Sequence, residues 1–375
     1  MKVLIAPDSF KGSLSAIDFC KIAAEAVKKI VPDAEIDVMP LADGGEGTLE
    51  CIEYALNHRE DNSDKKITYK KAYVQDALFD ELEVSIGFIE EEKTAIVEAA
   101  YSNGLPLVKG RENPEETSTY GVGQMLGAAA DFGAKKIILA LGGSCTNDCG
   151  LGMMAALGGC FYNKDGVSFV PTGGTLKDVQ EIDFSMVYPR LQGARFEAMC
   201  DVDNPLYGEN GCSAVFGPQK GADSEMVKRL DEGCRHIATL FNKMRTTDFA
   251  LEKGSGAAGG LGFAVLAALN GKLKSGIDTV LSLCDFEKRA SDCDLIITGE
   301  GSFDRQSAMG KTIGGILKRC GNVPVVVFCG KSDGTTADGI KDVIEISKGL
   351  SLDEAIKYTK QNLEKAVAEY FKNMN

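Results

Sequence analysis

The sequence predicts an α/β protein. A doubly wound domain with a parallel sheet is made from both ends of the chain, and a second α/β domain with antiparallel strands is inserted between them. Three observations carry this. Short apolar runs that lead straight into Gly- and Asp-rich loops stand near both ends, at residues 3–6 and 295–297. Each is followed by residues at helical spacing, which is the pattern of buried parallel strands with crossover helices. Between them, Leu82, Val84, Ile86 and Phe88 alternate with Glu81, Glu83, Ser85 and Gly87, the period of a strand with one wet face. The expected boundaries are residues 1–65 plus 281–375 for the first domain and 66–280 for the inserted one.

The elements follow in order. After the strand at 3–6 comes the loop PDSFKGS (residues 7–13). Ser15 with Asp18 three residues on makes a capping box, Asp standing for Glu. Ile17, Cys20, Ala24, Val27 and Ile30 then recur at helical spacing until Pro32 stops the helix. A strand at 36–39 leads into PLADGGEGT (40–48), with Thr48 as N-cap of a helix carrying Leu49, Ile52 and Leu56. The alternating segment and a strand at 94–99 form a β-meander. Residues 137–141 run into GGSCTNDCG (142–150), and residues 196–200 into DVDNPLYG (201–208). Helices are expected near 224–240 and 261–269. The strand at 295–297 precedes the loop TGEGSFD (298–304), and a helix follows Gly310. Strands at 324–328 and 344–346 come next. Ser351 and Glu354 form a capping box, and Ile356, Leu363, Val367 and Tyr370 are the apolar stripe of a last helix.

Composition narrows the function. The 375 residues carry a net charge of −14. An acidic chain repels phosphate backbones and anionic lipid, so nucleic-acid and membrane-surface binding are not expected. The longest apolar run, residues 257–269, is shorter than the roughly 20 residues of a membrane span. The N-terminus has no signal-peptide core, and the twelve cysteines contain no C-x-x-C pair. They read as reduced thiols of a cytoplasmic protein. With only His58 and His236, a His-rich zinc site is excluded.

In open parallel sheets, ligands sit at the carboxyl ends of the strands. There this chain places glycines, carboxylates, lysines and hydroxyls. Glycine lets backbone N–H groups reach phosphate oxygens, carboxylates hold Mg²⁺, and lysine offsets phosphate charge. Phosphoryl transfer needs little else. PDSFKGS supplies Asp8, Ser9, Lys11 and Ser13. LADGGEGT supplies Asp43, Glu46 and Thr48. The segment from Gly142 and Gly143 through Ser144, Thr146, Asn147 and Asp148 suits an anion at a helix start. Cys145 and Cys149 there read as small buried residues. DVDNPL supplies Asp201, Asp203 and Asn204, FGPQKGA supplies Gln219 and Lys220, and TGEGSFD supplies Thr298, Glu300, Ser302 and Asp304. Each loop also serves as an ordinary turn or cap; together they favour a nucleotide-dependent phosphotransferase. Two look-alikes are set aside. Gly254, Gly256 and Gly259 match G-x-G-x-x-G but follow a poor strand, so close packing through small residues is expected and NAD is not. Gly310-Lys311-Thr312 ends like a P-loop, but the first glycine would fall at Arg305.

These same loops carry a family likeness. From APDSFKGSLSA (6–16) through PLADGGEGT, GGS-x-TND, PTGG (171–174), CDVDNPLYG, VFGPQKGA and GAAGGLGFA (256–264) to TGEGSFD with Gly310 and Lys311, the chain resembles the bacterial-type (type I) glycerate kinases. The resemblance implies ATP-dependent phosphorylation of D-glycerate with Mg²⁺, generally at the 2-position, while others sharing the activity name give the 3-isomer. It also implies a flavodoxin-like domain, an inserted α/β domain, and an active site in the cleft between them. The family usually has small residues at the positions of Cys145 and Cys149.

On this reading D-glycerate lies between the Asp8/Lys11 loop and residues 144–148, its carboxylate held by backbone N–H groups and hydroxyls. Ser9, Gly143, Ser144, Thr146, Asn147, Asp148 and Asn204 are the expected substrate residues. Asp201 or Asp8 orients the attacking hydroxyl and takes its proton. Asp43, Glu46 or Glu300 holds Mg²⁺ directly or through water. Lys11 and Lys311 balance phosphate charge, with Ser13, Gly299 and Gly301 at the phosphates. A monomer or homodimer acting on a small molecule is expected. Two alternatives stand beside it: another small hydroxy acid or polyol as acceptor, and a non-catalytic sensor of nucleotide or organic acid.

Overall fold

The structure, a computed structural model, describes residues 1–59, 63–187, 191, 193–244, 247–305 and 312–374. The strands in chain order are β1 (Lys2–Ile5), β2 (Glu35–Val38), β3 (Thr68–Gln75), β4 (Glu81–Ile89), β5 (Thr94–Glu98), β6 (Lys136–Ala140), β7 (Cys160–Tyr162), β8 (Glu181–Asp183), β9 (Arg195–Met199), β10 (Lys272–Lys274), β11 (Leu295–Phe303), β12 (Val325–Ser332) and β13 (Ile340–Glu345). The chain divides into two compact units. One is Met1–Asp43, Glu50–Ile67 and Ile277–Asn375; the other is Gly44–Leu49 and Thr68–Gly276.

The first unit holds a five-stranded sheet in the order β13-β12-β11-β1-β2, parallel throughout. Counted within the unit this is the flavodoxin-like order, read from its far edge. Val3, Leu4, Ile5 and the run Val325, Val326, Val327 and Phe328 are wholly buried, as strands covered on both faces must be. Ser15 caps the helix Ala16–Ile30, its hydroxyl accepting the Asp18 N–H at 3.0 Å. The buried face of that helix is Ala16, Phe19, Cys20, Ala23, Ala26 and Val27, whereas Ile17, Ala24 and Ile30 of the expected stripe are half-buried flanks. Alanines bring the helix close to the sheet, and Phe19 fills what space remains.

Two sequence expectations fail here for tertiary reasons. The segment read as the loop TGEGSFD is mostly strand: β11 continues to Phe303, with Ser302 and Phe303 paired to Lys331 and Ser332 of β12. Its glycines suggest a loop, but at Gly299 the glycine is demanded by packing. A Cβ there would lie 2.4 Å from the Phe328 carbonyl oxygen and 2.7 Å from the Phe19 ring. At the C-terminus the Ser351–Glu354 capping box is present, but its helix ends at Lys357. A second helix, Thr359–Met374, buries Thr359, Leu363, Val367 and Phe371. The break at Tyr358 resets the helical phase, so Ile356 is exposed and Phe371, not Tyr370, completes the stripe.

A buried ion pair secures this unit. Arg289 donates from Nε and Nη2 to the two Asp37 carboxylate oxygens at 2.7 and 2.5 Å, and from Nη1 and Nη2 to the carbonyls of Ala55 and Val38 at 2.8 Å each. Every charge is paired, so losing one partner strands the other. Arg289→Met should destabilise the protein by about 3–5 kcal/mol, visible as a lower denaturation midpoint, and the Asp37→Leu/Arg289→Met double variant should recover part of the loss.

The second unit holds a six-stranded sheet in the order β10-β9-β6-β5-β4-β3. β3, β4 and β5 are antiparallel neighbours, and β5, β6, β9 and β10 run parallel. The meander expected over residues 82–99 is therefore the edge of a mixed sheet. The helix Tyr120–Asp131 makes the crossover from β5 to β6. The core gathers Ile86, Phe88, Val97, Ile137, Leu139, Phe241 and Phe263, the last two with ring centroids 4.9 Å apart. The helix Ser224–Met244 runs past the expected end at Leu240.

Candidate active site

In the first unit the chain order of the sheet reverses between β1 and β11, and the loop after β1 stands at that switch point. Its backbone is clamped to β11: Ala6 N–H donates to the Ile297 carbonyl at 2.7 Å and Asp8 N–H to the Gly299 carbonyl at 2.8 Å. A tight turn follows. Phe10 N–H donates to the Leu14 carbonyl at 2.8 Å, Gly12 takes φ +80°, and the Ser13 hydroxyl donates to the Phe10 carbonyl at 3.2 Å. This exposes Lys11 and leaves Asp8 half-buried.

The Asp8 carboxylate accepts from the Thr312 hydroxyl at 2.6 Å and from the Ser9 N–H at 2.6 Å. Burial pushes its pKa above the ordinary aspartate value; the Thr312 hydrogen bond opposes this, the nearby Asp43 carboxylate adds to it, and Lys11 opposes it weakly. A cavity of about 790 Å³ within this unit is lined by Asp8, Ser9, Lys11, Ser13, Asp43, Glu300, Gly301 and Lys331. Of the residues singled out in the sequence for catalysis, phosphate and metal, Asp8, Lys11, Ser13, Asp43, Glu300 and Gly301 share this space. Gly299 lies inside β11, and Lys311 lies outside the described residues.

The second unit carries the other loop, after β6. Gly142 N–H donates to the Gly44 carbonyl at 3.0 Å, and a Cβ on Gly142 would come within 2.5 Å of Gly45 Cα, so two glycine loops are pressed backbone to backbone. Gly143 is exposed and Ser144 sits just beneath it. The Ser144 and Thr146 hydroxyls lie 2.8 Å apart, and Asn103 Nδ2 donates to them at 3.3 and 3.2 Å. Asn147 Nδ2 donates to the Ser213 hydroxyl at 3.1 Å. Thr146, Asn147 and Asp148 are fully buried, so only Gly143 and Ser144 of the expected substrate residues in this loop meet solvent.

Asp148 holds the loop from behind. Its carboxylate accepts from Thr119 N–H and hydroxyl at 2.7 and 2.8 Å, from Gly150 and Gly152 N–H at 3.0 and 3.2 Å, and from the Ser118 hydroxyl at 3.4 Å. Burial pushes its pKa up, against those donors. Lys220 is also buried, and Nζ donates to the Thr146 carbonyl at 2.7 Å. Burial lowers its pKa, while the Cys212 and Cys145 thiols and the Asp148 carboxylate oppose this. Cys145 and Cys149 are buried small residues, and burial pushes the Cys145 thiol up to about 12. The G-x-G-x-x-G stretch is the platform under this loop. Cys149 N–H donates to the Gly259 carbonyl at 3.0 Å, and a Cβ on Gly259 would lie 1.9 Å from the Thr146 carbonyl oxygen.

Thr48 does not act as an N-cap. It is the first residue of the helix Thr48–Asn57, and its hydroxyl donates to the Gly45 carbonyl at 2.7 Å. The buried Glu98 carboxylate caps this end instead, accepting Gly47 N–H at 2.8 Å and Leu49 N–H at 3.1 Å. Glu46 is exposed on this loop. Asp201 is exposed and accepts Gly276 N–H at 2.9 Å. Asn204 turns its amide to the Asn210 carbonyl at 2.8 Å, and Asp203 pairs with Lys253 on the surface.

Sequence reasoning missed Glu98, Asn103 and Thr119. Glu98 had a usable signal, a charge at the carboxyl end of a buried strand; Asn103 and Thr119 had none, since their partners are distant in the chain. Among the described residues no group of three His, Cys, Asp or Glu side chains is arranged as a metal cage. Mg²⁺ needs none, because it keeps several waters and binds one or two carboxylates plus phosphate oxygens. The Asp8, Asp43 and Glu300 carboxylates on one cavity fit that donor chemistry.

The Glycerate kinase family model matches residues 3–375. This chain belongs to the glycerate kinase family. Among its family relatives, a Bacillus cereus protein named glycerate kinase is 42% identical over 372 residues, covering 97% of this chain and 95% of the relative. An Escherichia coli protein named glycerate 2-kinase is 37% identical, covering 98% and 96%. A Salmonella typhimurium LT2 protein whose crystal structure carries the name glycerate kinase 2 superposes with a TM-score of 0.85 at 34% identity, covering all of this chain and 98% of that one. The glycerate kinase fold thus extends over the whole chain, both units included.

Proposed function

We propose that this chain transfers the γ-phosphoryl group of ATP to the 2-hydroxyl of D-glycerate. Family membership supports the activity. The observation that carries the residue assignment is the single cavity at the sheet's switch point that gathers Asp8, Lys11, Asp43 and Glu300. The hydroxyl oxygen of glycerate attacks the γ-phosphorus, the bond to the β–γ bridging oxygen breaks, and ADP leaves. The hydroxyl proton passes to a carboxylate. Asp8 suits that role better than Asp201, because burial raises its basicity while Asp201 stands in solvent; Asp201 is assigned to orienting the hydroxyl.

Lys11 and Lys311 offset phosphate charge, and Ser13 and Gly301 line the phosphate end. Asp43 and Glu300 would hold Mg²⁺, with Glu46 acting through water, and the ion would neutralise charge on the phosphate oxygens. Gly143 and Ser144 would bind the glycerate carboxylate. The buried Lys220 ammonium adds positive potential behind that loop, while Thr146, Asn147 and Asp148 position it. Ser9 and Asn204 complete the proposed substrate residues. A cytoplasmic monomer or homodimer completes the proposal. Among the described residues no helix is long and apolar enough to cross a membrane.

An ATP-coupled assay of ADP release across D-glycerate, L-glycerate, lactate and glycerol tests the function. Turnover with D-glycerate above the others is expected. Turnover preferring another acceptor moves the assignment to that acid or polyol, and tight ATP binding without turnover on any of them makes the chain a sensor.

A further inference from the structure

The phosphate-facing groups account for only one end of the first unit's cavity. The other end is built from a different kind of surface. Lys348, Gly349 and Leu350 follow β13, and Leu352, Ala355 and Ile356 come from the helix Leu352–Lys357. That helix buries none of its residues. Leu350 is 43% exposed, Leu352 73% and Ile356 44%. A single exposed leucine needs no explanation, but several apolar side chains on one cavity wall do. Leu352, Ala355 and Ile356 fall three and four residues apart, on one helix face.

The wall is also fixed in place. The Ser351 hydroxyl and the Glu354 carboxylate make a reciprocal capping box at its start. At its end the buried Thr359 hydroxyl donates to the Ala355 carbonyl at 2.7 Å. The cavity therefore has a polarity gradient. Carboxylates and Lys11 stand at the β1 and β11 end, Lys331 stands near the end of β12 and Glu345 at the end of β13, and Leu350, Leu352 and Ile356 stand beyond β13. A nucleoside triphosphate has the same gradient, anionic at one end and a flat apolar ring at the other. The cavity, about 790 Å³, is in the range of small-molecule sites.

We infer that Leu350, Leu352 and Ile356 form the seat of the nucleobase of the phosphate donor, with the triphosphate running along the strand ends to the Asp8 loop. This rests on the kinase reading above. Lys348 and Lys331, on the same wall, would face the donor between base and γ-phosphate.

Steady-state kinetics of a Leu352→Ala/Ile356→Ala double variant test it. Both side chains are exposed, so the melting temperature should stay at the wild-type value. The KM for ATP should rise about tenfold, the size expected for losing roughly one buried apolar contact. The kcat and the KM for glycerate should stay within about twofold. Inorganic tripolyphosphate, which has no base, should inhibit wild type and variant equally, and Leu352→Met should restore the KM for ATP. An unchanged KM for ATP, or tripolyphosphate inhibition weakened as much as ATP binding, would overturn the seat. If the wild type phosphorylates no acceptor, the kinase reading fails, and calorimetric ATP binding decides the seat separately. Tenfold weaker ATP binding in the variant supports it; equal binding, or none to the wild type, overturns it.

Discussion

Asp8→Asn should lower kcat for glycerate phosphorylation by about 10²–10⁴-fold, the usual worth of a positioned general base. The amide keeps the size of the side chain, its oxygen can accept the Ser9 N–H and its NH2 can donate to the Thr312 hydroxyl oxygen, so the melting temperature should change little. KM for ATP should move much less than kcat, because the loss falls on the transition state. The pH dependence follows from the same environment. Burial raises the Asp8 pKa, and the base must be ionised to act. The kcat/KM of the wild type should therefore rise with pH through a limb above the ordinary aspartate value, and fall as pH drops and Asp8 takes up its proton. A variant with near wild-type kcat would remove Asp8 as the base and leave Asp201 in its place.

The second large effect is expected at a glycine that supports the loop carrying Gly143 and Ser144. At Gly259 the backbone has φ +67°, and a Cβ would lie 1.9 Å from the Thr146 carbonyl oxygen. Gly259→Ala meets two costs together: about 1–2 kcal/mol for a left-handed alanine and about 1–3 kcal/mol for the steric insertion. The relief available is displacement of the loop, since the contact is with backbone and not with a flexible side chain. Moving Thr146 also moves its carbonyl from the Lys220 ammonium, 2.7 Å away. A drop of several degrees in melting temperature and a loss of at least tenfold in kcat/KM for glycerate are expected, the latter from misplacement of the loop by about 1 Å. Gly133→Ala is the control. It has φ +92°, but its Cβ would meet nothing within 4 Å, so stability should fall only modestly and glycerate kinetics should hold.

How far the sequence discloses the molecule depends on the range of the forces involved. Apolar runs such as residues 3–6 and the Ser351–Glu354 box depend on neighbours in the chain, and both are found where the sequence puts them. β11 is mistaken for a loop after Ile297 because Gly299 is chosen by its packing against Phe19 and Phe328, not by a turn. Ile356 is misplaced because an apolar spacing can run across a helix break that only the fold reveals.

In the site, local motifs name the exposed groups, Asp8, Lys11 and Gly143. They do not tell a ligand from a support. Asp148 looks like a binding residue in GGSCTNDCG, yet its carboxylate is filled by donors from its own loop and from Ser118 and Thr119. The glycines at 254, 256 and 259 look like a dinucleotide motif, and Gly259 instead lets one backbone lie on another. Glu98 caps a helix that begins fifty residues earlier in the chain, and no local pattern encodes that.

Phosphorus NMR of the wild-type protein with ATP, Mg²⁺ and D-glycerate tests the central assignment most directly. A phosphomonoester resonance coupled to the proton on C2 of glycerate should grow in step with ADP, and should be lost with Asp8→Asn. ATP left intact, or split to ADP and inorganic phosphate with no new ester, would contradict it.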